Sequence, residues 1–226
     1  MNKYYLVAFF LIFGSCKSKV IKQDINDIYL RLKNGSSINY KVSDGQFKFE
    51  ESNPEAGRYR ARFINKSRNV SYEYLSHSSA SEQDTMIFNG SSILLKSKFD
   101  PISIKVYEVD HSLKNYIVFI GNAQSTSGSG QQITFFLIVE EDKHEKALKN
   151  YEFNTRFGNI NSLVDFNADS ILDYFKIING KNTGEYLLTV NEYDSDKKIV
   201  DGYVLLLYEF NDQFRILENK LPALIH

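Results

Sequence analysis

Apolar and polar side chains alternate along much of this chain, and a two-residue period is the pattern of a β-strand that rests one face on a core. The alternating sets are Ile28, Leu30 and Leu32; Phe47 and Phe49; Tyr59, Ala61 and Phe63; and Ile102, Ile104 and Val106. Three further runs, at 116–120, 133–139 and 203–208, are apolar at consecutive positions and predict strands covered on both faces.

Turn-forming dipeptides separate these runs. They are Asn34-Gly35, Asp44-Gly45, Asn89-Gly90, Asn179-Gly180 and Asp201-Gly202. The chain also has 15 Tyr, 17 Phe and only three Pro, which is a strand-rich composition. We therefore predict an all-β fold of mainly antiparallel sheets, sandwich-like or meander-like, in one domain over residues 25–226.

Two polar segments leave their local structure open. Residues 140–149 read as a short helix or, preferably, as a long polar turn between two strands. Residues 124–132 read as a solvated hairpin loop or a binding loop, and they lack the lysine of a phosphate-binding loop and the Gly-x-Ser-x-Gly of a nucleophile elbow.

Near the start of the chain, Lys3 is followed by an apolar run at 4–13 and by the small residues Gly14 and Ser15, which precede the only cysteine, Cys16. Ten helical residues reach about 15 Å, half of a hydrocarbon core of roughly 30 Å, so this run predicts a secretory signal rather than a membrane span. The residues Ile12-Phe13-Gly14-Ser15-Cys16 resemble the bacterial lipobox, with Phe13 where leucine is usual.

The lipobox resemblance implies a signal peptide at 1–15, a lipid on Cys16, a tether over 16–24 and anchorage in the cell envelope. Lys17 stands where many lipoproteins retained at the inner membrane have aspartate, which favours the outer membrane facing the periplasm in a Gram-negative host. A free or buried thiol at Cys16 is the alternative. The body of the chain has no other cysteine and therefore no disulfide.

Charge excludes one class of partner. The chain has 27 Lys and Arg against 28 Asp and Glu, scattered along the strands, so we expect no nucleic-acid binding. The histidines His77, His111, His144 and His226 lack metal-type spacing and are expected at the surface. The acidic run at 140–142 reads as a solvated turn, although a pair of carboxylates assembled across strands stays open.

One segment has the spacing of a cation loop. Asp165, Asn167, Asp169 and Asp173 supply side-chain oxygens at positions 1, 3, 5 and 9, and position 7 supplies the carbonyl of Ile171. A chain curling around calcium offers oxygens in this way, so we expect one calcium ion here. The alternative is an acid-rich turn whose side chains cap backbone amides.

With the preceding Phe157-Gly158, the segment resembles the calcium loop of FG-GAP repeats, the integrin-like β-propeller family. Ser170 stands where that family prefers glycine, and residues 194–196 continue with Lys198 where a second loop needs an acid. A propeller needs at least four blades, so a complete propeller is excluded. An EF-hand is not supported because its twelfth position falls at Lys176.

These observations predict an exported, membrane-anchored lipoprotein with a non-catalytic binding or structural domain. No catalytic residue is proposed, and the protein or glycan partner is not identified. Two alternatives stay open, a hydrolase of envelope or secreted polymers and an anchored accessory subunit of an envelope complex.

Overall fold

Three antiparallel sheets and one short helix make up the part of the chain that the computed structural model describes. The described residues are 22–33, 38–43, 47–53, 58–65, 70–77, 81–88, 90–111, 114–123, 133–141, 149–209 and 213–222. Strand predominates and no closed propeller forms, which confirms the predicted all-β antiparallel fold. The signal, Cys16 and the loop at 124–132 lie outside the described residues, as do the dipeptides at 34–35 and 44–45.

The central sheet is apolar on both faces. Its strands are β2 (Asn39–Val42), β8 (Lys105–His111), β9 (Lys114–Asn122), β10 (Ile133–Glu141) and β11 (Lys149–Arg156), in the order β11-β10-β9-β8-β2. Phe119 and Leu137 pack into a core on one face, whereas Val118 and Phe136 pack into a core on the other. The runs at 116–120 and 133–139 are therefore covered on both sides, as predicted.

The N-terminal sheet covers one face of the central sheet. It comprises β3 (Phe47–Asn53), β4 (Arg58–Asn65), β5 (Val70–His77), β6 (Thr85–Phe88) and β7 (Ser91–Leu94), paired in sequence order. Phe63 and Phe88 stack on the two sides of Tyr72, and Tyr72 meets Phe119 of the central sheet edge-on. The β6–β7 turn contains Gly90 at a φ of 80°, as an Asn-Gly turn predicts.

The C-terminal sheet lies toward the opposite face of the central sheet. Its strands are β1 (Gln23–Asp24), β12 (Leu163–Val164), β13 (Asp173–Asn179), β14 (Glu185–Glu192), β15 (Val204–Tyr208) and β16 (Gln213–Asn219), in the order β1-β16-β15-β14-β13-β12. Tyr174 and Tyr193 pack against the central sheet, whereas Phe175, Leu188 and Leu206 form a third core with the helix.

The structure corrects two of the predicted strands. Ile28, Leu30 and Leu32 lie in a helix, α1 (Ile25–Lys33), and Ile102 is 80% exposed in a 3-10 turn at Pro101–Ser103. Ile25, Ile28 and Tyr29 are buried at helical spacing. The Asp24 carboxylate accepts a hydrogen bond from the Asn26 amide at 2.8 Å, which caps the helix start. The proline after Asp100 ends the strand pattern before β8.

Three segment boundaries also differ from expectation. Residues 23 and 24, assigned to the tether, form β1. Glu140 pairs with Lys149 across β10 and β11, so these two residues belong to an antiparallel hairpin rather than a helix. In the run at 203–208, Val204 and Leu206 are buried but Leu205 is partly exposed, so only one face is covered.

A buried polar network joins β5 to the segment before β6. The Tyr74 hydroxyl donates to the Asp84 carboxylate and accepts from the Phe99 amide at 3.0 Å. The other Asp84 oxygen accepts from the His77 amide at 2.9 Å. Burial and the adjacent Asp84 carboxylate raise the pKa of Tyr74, so its hydroxyl stays neutral and donates.

We expect Asp84→Ala to lower the free energy of unfolding by about 2 kcal/mol, because the buried His77 amide loses its acceptor and the Tyr74 hydroxyl keeps only the Phe99 carbonyl at 3.1 Å. Urea unfolding would measure the loss. The control is Asp110→Ala at an exposed position of β8, which should change stability by less than about 0.5 kcal/mol. Equal midpoints for Asp84→Ala and wild type would contradict a structural role for the network.

Candidate metal centre

The predicted cation loop connects β12 to β13 at the edge of the C-terminal sheet. Asp165 directly follows β12, and Asp173 is the first residue of β13, where it pairs with Val164 on one side and Glu192 on the other. The hydrogen-bonded ladder therefore holds the two ends of the loop side by side. The predicted ligands at either end are brought together by strand pairing.

Asp173 is the most unusual of the predicted ligands because its side chain is fully buried. Its Oδ2 accepts a hydrogen bond from the Phe166 amide at 2.8 Å, whereas its Oδ1 is buried and has no hydrogen-bond partner among the described residues. The pKa of Asp173 is raised from 3.8 to about 7, chiefly by burial; the hydrogen bond from the Phe166 amide lowers it, and the charges of Asp169, Asp165 and Glu192 raise it.

The Asp165 carboxylate contacts both the loop and the central sheet. Its Oδ2 accepts from the Ser170 amide at 3.2 Å, which closes the loop on itself. The same oxygen lies 3.2 Å from Nε2 of His111, at the end of β8 in the central sheet. We predicted His111 to be an ordinary surface residue, but the structure places it beside a predicted ligand. Nothing in the spacing of the sequence indicates this proximity.

The middle of the loop is exposed and turns tightly. Asn167 donates from Nδ2 to Asp169 Oδ2 at 2.7 Å, and Asp169 Oδ1 accepts from the Ile171 amide at 2.8 Å. Ala168 and Ser170 adopt positive φ angles of 57° and 69°. A side chain in this region costs on the order of 1 kcal/mol relative to glycine, so Ser170 strains the position where FG-GAP repeats prefer glycine.

Phe157 and Gly158 have packing roles of their own. Phe157 has a φ of 54° and places its ring against Tyr186 and Phe214 in the core under α1. A Cβ on Gly158 would lie 2.5 Å from Thr155 Cγ2 and 2.7 Å from Phe136 Cε2, so only glycine fits there. The pair is therefore explained by local packing whether or not the loop holds an ion.

The carboxylates of the loop partly serve the backbone, as the capped-turn alternative expects. Within the described ranges, no group of three or more His, Cys, Asp or Glu side chains is arranged to hold a metal ion. The donor set still fits a hard cation in its chemistry, since Asp165, Asn167, Asp169 and Asp173 offer side-chain oxygens and Ile171 a backbone carbonyl. The buried, unpartnered oxygen of Asp173 is the feature that an oxygen-seeking cation would satisfy.

The remaining candidates have structural partners. The acidic run is divided, because Glu140 is buried and lies 2.9 Å from Lys114 Nζ, Glu141 ends β10, and Asp142 lies outside the described residues. His77 Nδ1 lies 2.6 Å from Glu82 Oε2, whereas His144 and His226 fall outside the described ranges.

Asp196 adopts a φ of 55° and accepts hydrogen bonds from the Tyr174 hydroxyl and Lys176. Asp196 therefore connects its turn to β13 by hydrogen bonds. This structural role explains the residue without a second cation loop. A cavity of about 280 Å³ at the β13–β14 turn is lined by residues 179–186, among which Glu185 is the single carboxylate. This cavity does not supply the carboxylate pair that a glycosidase needs.

In the part of the chain that the structure describes, no helix is long and apolar enough to cross a membrane. No family model, curated protein or solved structure matches this chain.

Proposed function

We propose that this protein is an exported bacterial lipoprotein, anchored by a lipid on Cys16, whose β-rich body binds one calcium ion and serves a non-catalytic binding or structural role. The observation that carries the calcium assignment is Asp173, a fully buried carboxylate with one oxygen that has no partner among the described residues. A native protein rarely buries such a group without a compensating ligand.

Electrostatics supports the same assignment. Asp165, Asp169 and Glu192 all raise the pKa of Asp173, which means that these carboxylates repel one another in the ion-free loop. A divalent cation would reverse the sign of these interactions. Asp165, Asn167, Asp169 and Asp173 would hold it with side-chain oxygens and Ile171 with its carbonyl, and the ion would supply positive charge that fixes the loop between β12 and β13.

The anchor proposal rests on the N-terminal sequence and agrees with where the described fold begins. Lys22 lies 2.8 Å from Glu209, and the next two residues form β1 on β16, so the body starts within a few residues of Cys16. A short tether of this kind keeps the domain next to the membrane that holds the lipid.

Calcium at 1 mM should raise the melting temperature of the mature protein by about 3 to 5 °C relative to chelator. Extracellular sites have dissociation constants of about 0.1 to 1 mM, and a site at the tight end adds roughly 1.4 kcal/mol by mass action. For a chain of 211 residues after removal of 15 from 226, that energy corresponds to this shift. Thermal unfolding with and without calcium measures it.

Asp165→Ala should abolish the calcium response, and Asp201→Ala, at an exposed position outside the loop, should leave it intact. The capped-turn alternative expects a different result. In that case melting is the same in chelator and in 5 mM calcium, and Asp165→Ala destabilises equally in both because the Ser170 amide loses its acceptor. This result would remove the calcium assignment.

A further inference from the structure

Five aliphatic side chains lie together on the face of the C-terminal sheet that points away from α1. They are Ile178, Leu187, Leu205, Leu207 and Leu217, and we call them the aliphatic face. Ile178 is 44% exposed and Leu217 is 43% exposed, and the other three are partly exposed. None of the five belongs to any of the three cores of the described residues.

Strand register makes this face continuous. Ile178 is paired with Leu187, and Leu187 is paired with Leu205, so three aliphatic side chains stand in one row across β13, β14 and β15. On β16, Ile216 pairs with Leu206 of β15 and Glu218 pairs with Leu205. Leu217, between them, is unpaired and forms a bulge beside this row. The row is partly exposed, and a contiguous apolar patch of this kind with a polar rim is suited to contact another apolar surface.

The register of β1 places Lys22 toward the end of β16 that holds Leu217. β1 is antiparallel to β16, with Gln23 opposite Phe214 and Asp24 opposite Gln213. The chain that precedes Gln23 therefore enters from the side of Arg215 and Leu217. Cys16 lies six residues before Lys22, so an extended tether spans at most about 21 Å. A lipid on Cys16 holds the β16 end of the sheet close to a bilayer.

The charged rim of the aliphatic face is balanced. Arg215 pairs with Glu209 at 3.2 Å, Lys220 pairs with Glu218 at 2.8 Å, and Lys176 pairs with Asp196. Three cations face three anions, so this rim gives no net attraction to anionic lipids. Contact with a bilayer would depend on the apolar side chains and would respond little to salt.

We propose that the aliphatic face lies against the surface of the bilayer that holds the Cys16 lipid, so that the protein has one fixed orientation on the membrane. This inference rests on the proposed lipid anchor. The lipid fixes only the position of Cys16, and a second contact from the protein surface fixes how the domain is turned on the membrane. The face orients the cation loop as well, because β13 contributes both Asp173 and Ile178.

The test uses the lipidated mature protein in vesicles of phosphatidylethanolamine and phosphatidylglycerol. Because Cys16 is the only cysteine and is blocked by lipid, Leu217→Cys introduces a single reactive thiol for an environment-sensitive fluorophore. We expect a blue shift and at least twofold stronger quenching by lipids spin-labelled near the headgroup than at the control position. The control is Leu94→Cys on β7 of the N-terminal sheet, where the side chain is 64% exposed.

Ile178→Cys provides a second probe at the far end of the aliphatic face and should be quenched like Leu217→Cys. Equal weak quenching at Leu217→Cys, Ile178→Cys and Leu94→Cys, with mass spectrometry showing a lipidated N-terminus, overturns the inference and leaves the anchor intact. An unmodified Cys16 overturns both proposals. Probes that are shielded in native membranes but not in pure vesicles assign the face to a protein partner and also overturn the inference.

Discussion

In chelator at pH 8, Asp173→Asn should increase the free energy of unfolding by about 2 to 4 kcal/mol. Burial raises the pKa of the Asp173 carboxyl from 3.8 to about 7, and this difference corresponds to about 4 kcal/mol of stability lost when the carboxylate ionises in the folded protein. Asparagine removes the buried charge and keeps an oxygen for the Phe166 amide. Its own NH2 group is a new buried donor, which offsets part of the gain.

The pH dependence has a defined sign. The folded pKa of Asp173 lies above the unfolded value, so its favourable contribution is complete below about pH 3.8 and is lost as the pH rises through about 7. The advantage of Asp173→Asn should therefore be small at pH 4.5 and full at pH 8. Urea unfolding of both proteins in chelator at these pH values measures the difference. A variant less stable than wild type at pH 8 would contradict the assignment of Asp173 as a destabilising buried charge.

Calcium should oppose this gain. On the proposed calcium assignment, the carboxylate of Asp173 would bind the ion in 5 mM calcium with a full negative charge, whereas asparagine would supply only a neutral oxygen. The stability difference between Asp173→Asn and wild type should then shrink relative to chelator. If calcium leaves the difference unchanged, Asp173 does not contact the ion.

The strand pattern predicted the sheets well where tertiary packing reinforced it. Residues 116–120 and 133–139 are apolar at successive positions because the central sheet is covered on both faces. The pattern failed at α1 because Ile28 and Leu32 fit both a two-residue and a helical period. Two residues favour the helix over a strand. Asp24 caps the helix start, and Ile25 is buried together with Ile28 at helical spacing.

The aliphatic face shows why the sequence of one strand does not predict whether a neighbouring sheet covers both of its faces. Residues 203–208 read as a strand buried on both sides, yet the core between the central and C-terminal sheets contains Tyr174 and Tyr193 and, among the described residues, none from β15. Beyond those residues, Leu205 and Leu207 face outward. Where one sheet ends over another is a property of the whole fold, and no local periodicity encodes it.

The candidate site was predictable in its spacing but not in its electrostatics. Oxygen-bearing residues at alternating positions predicted a loop, and Ser170, which stands where FG-GAP repeats prefer glycine, has a positive φ. The burial of Asp173 and the approach of His111 to Asp165 depend on strand pairing and on contact between two sheets. Both are long-range features.

Cys16→Ala should release the protein from membranes almost completely. Each methylene of a bilayer-inserted acyl chain contributes about 0.8 kcal/mol, so two or three chains hold the wild-type protein on the membrane almost permanently. Expression in a bacterial host followed by membrane fractionation measures the change. A wild-type chain found wholly in the soluble fraction with a free N-terminus would contradict the anchor.

The comparison of Cys16→Ala with Cys16→Ala/Leu217→Ser separates the lipid from the aliphatic face. Without the lipid, the apolar side chains alone should retain only a small fraction of the protein on vesicles. Leu217 is 43% exposed, so only part of its apolar area is free to be buried in the bilayer. Leu217→Ser should reduce that remainder, and Leu94→Ser, on the distant N-terminal sheet, should not. This pair of results would show that the lipid determines whether the protein is on the membrane and that the aliphatic face contributes the second contact, which sets its orientation.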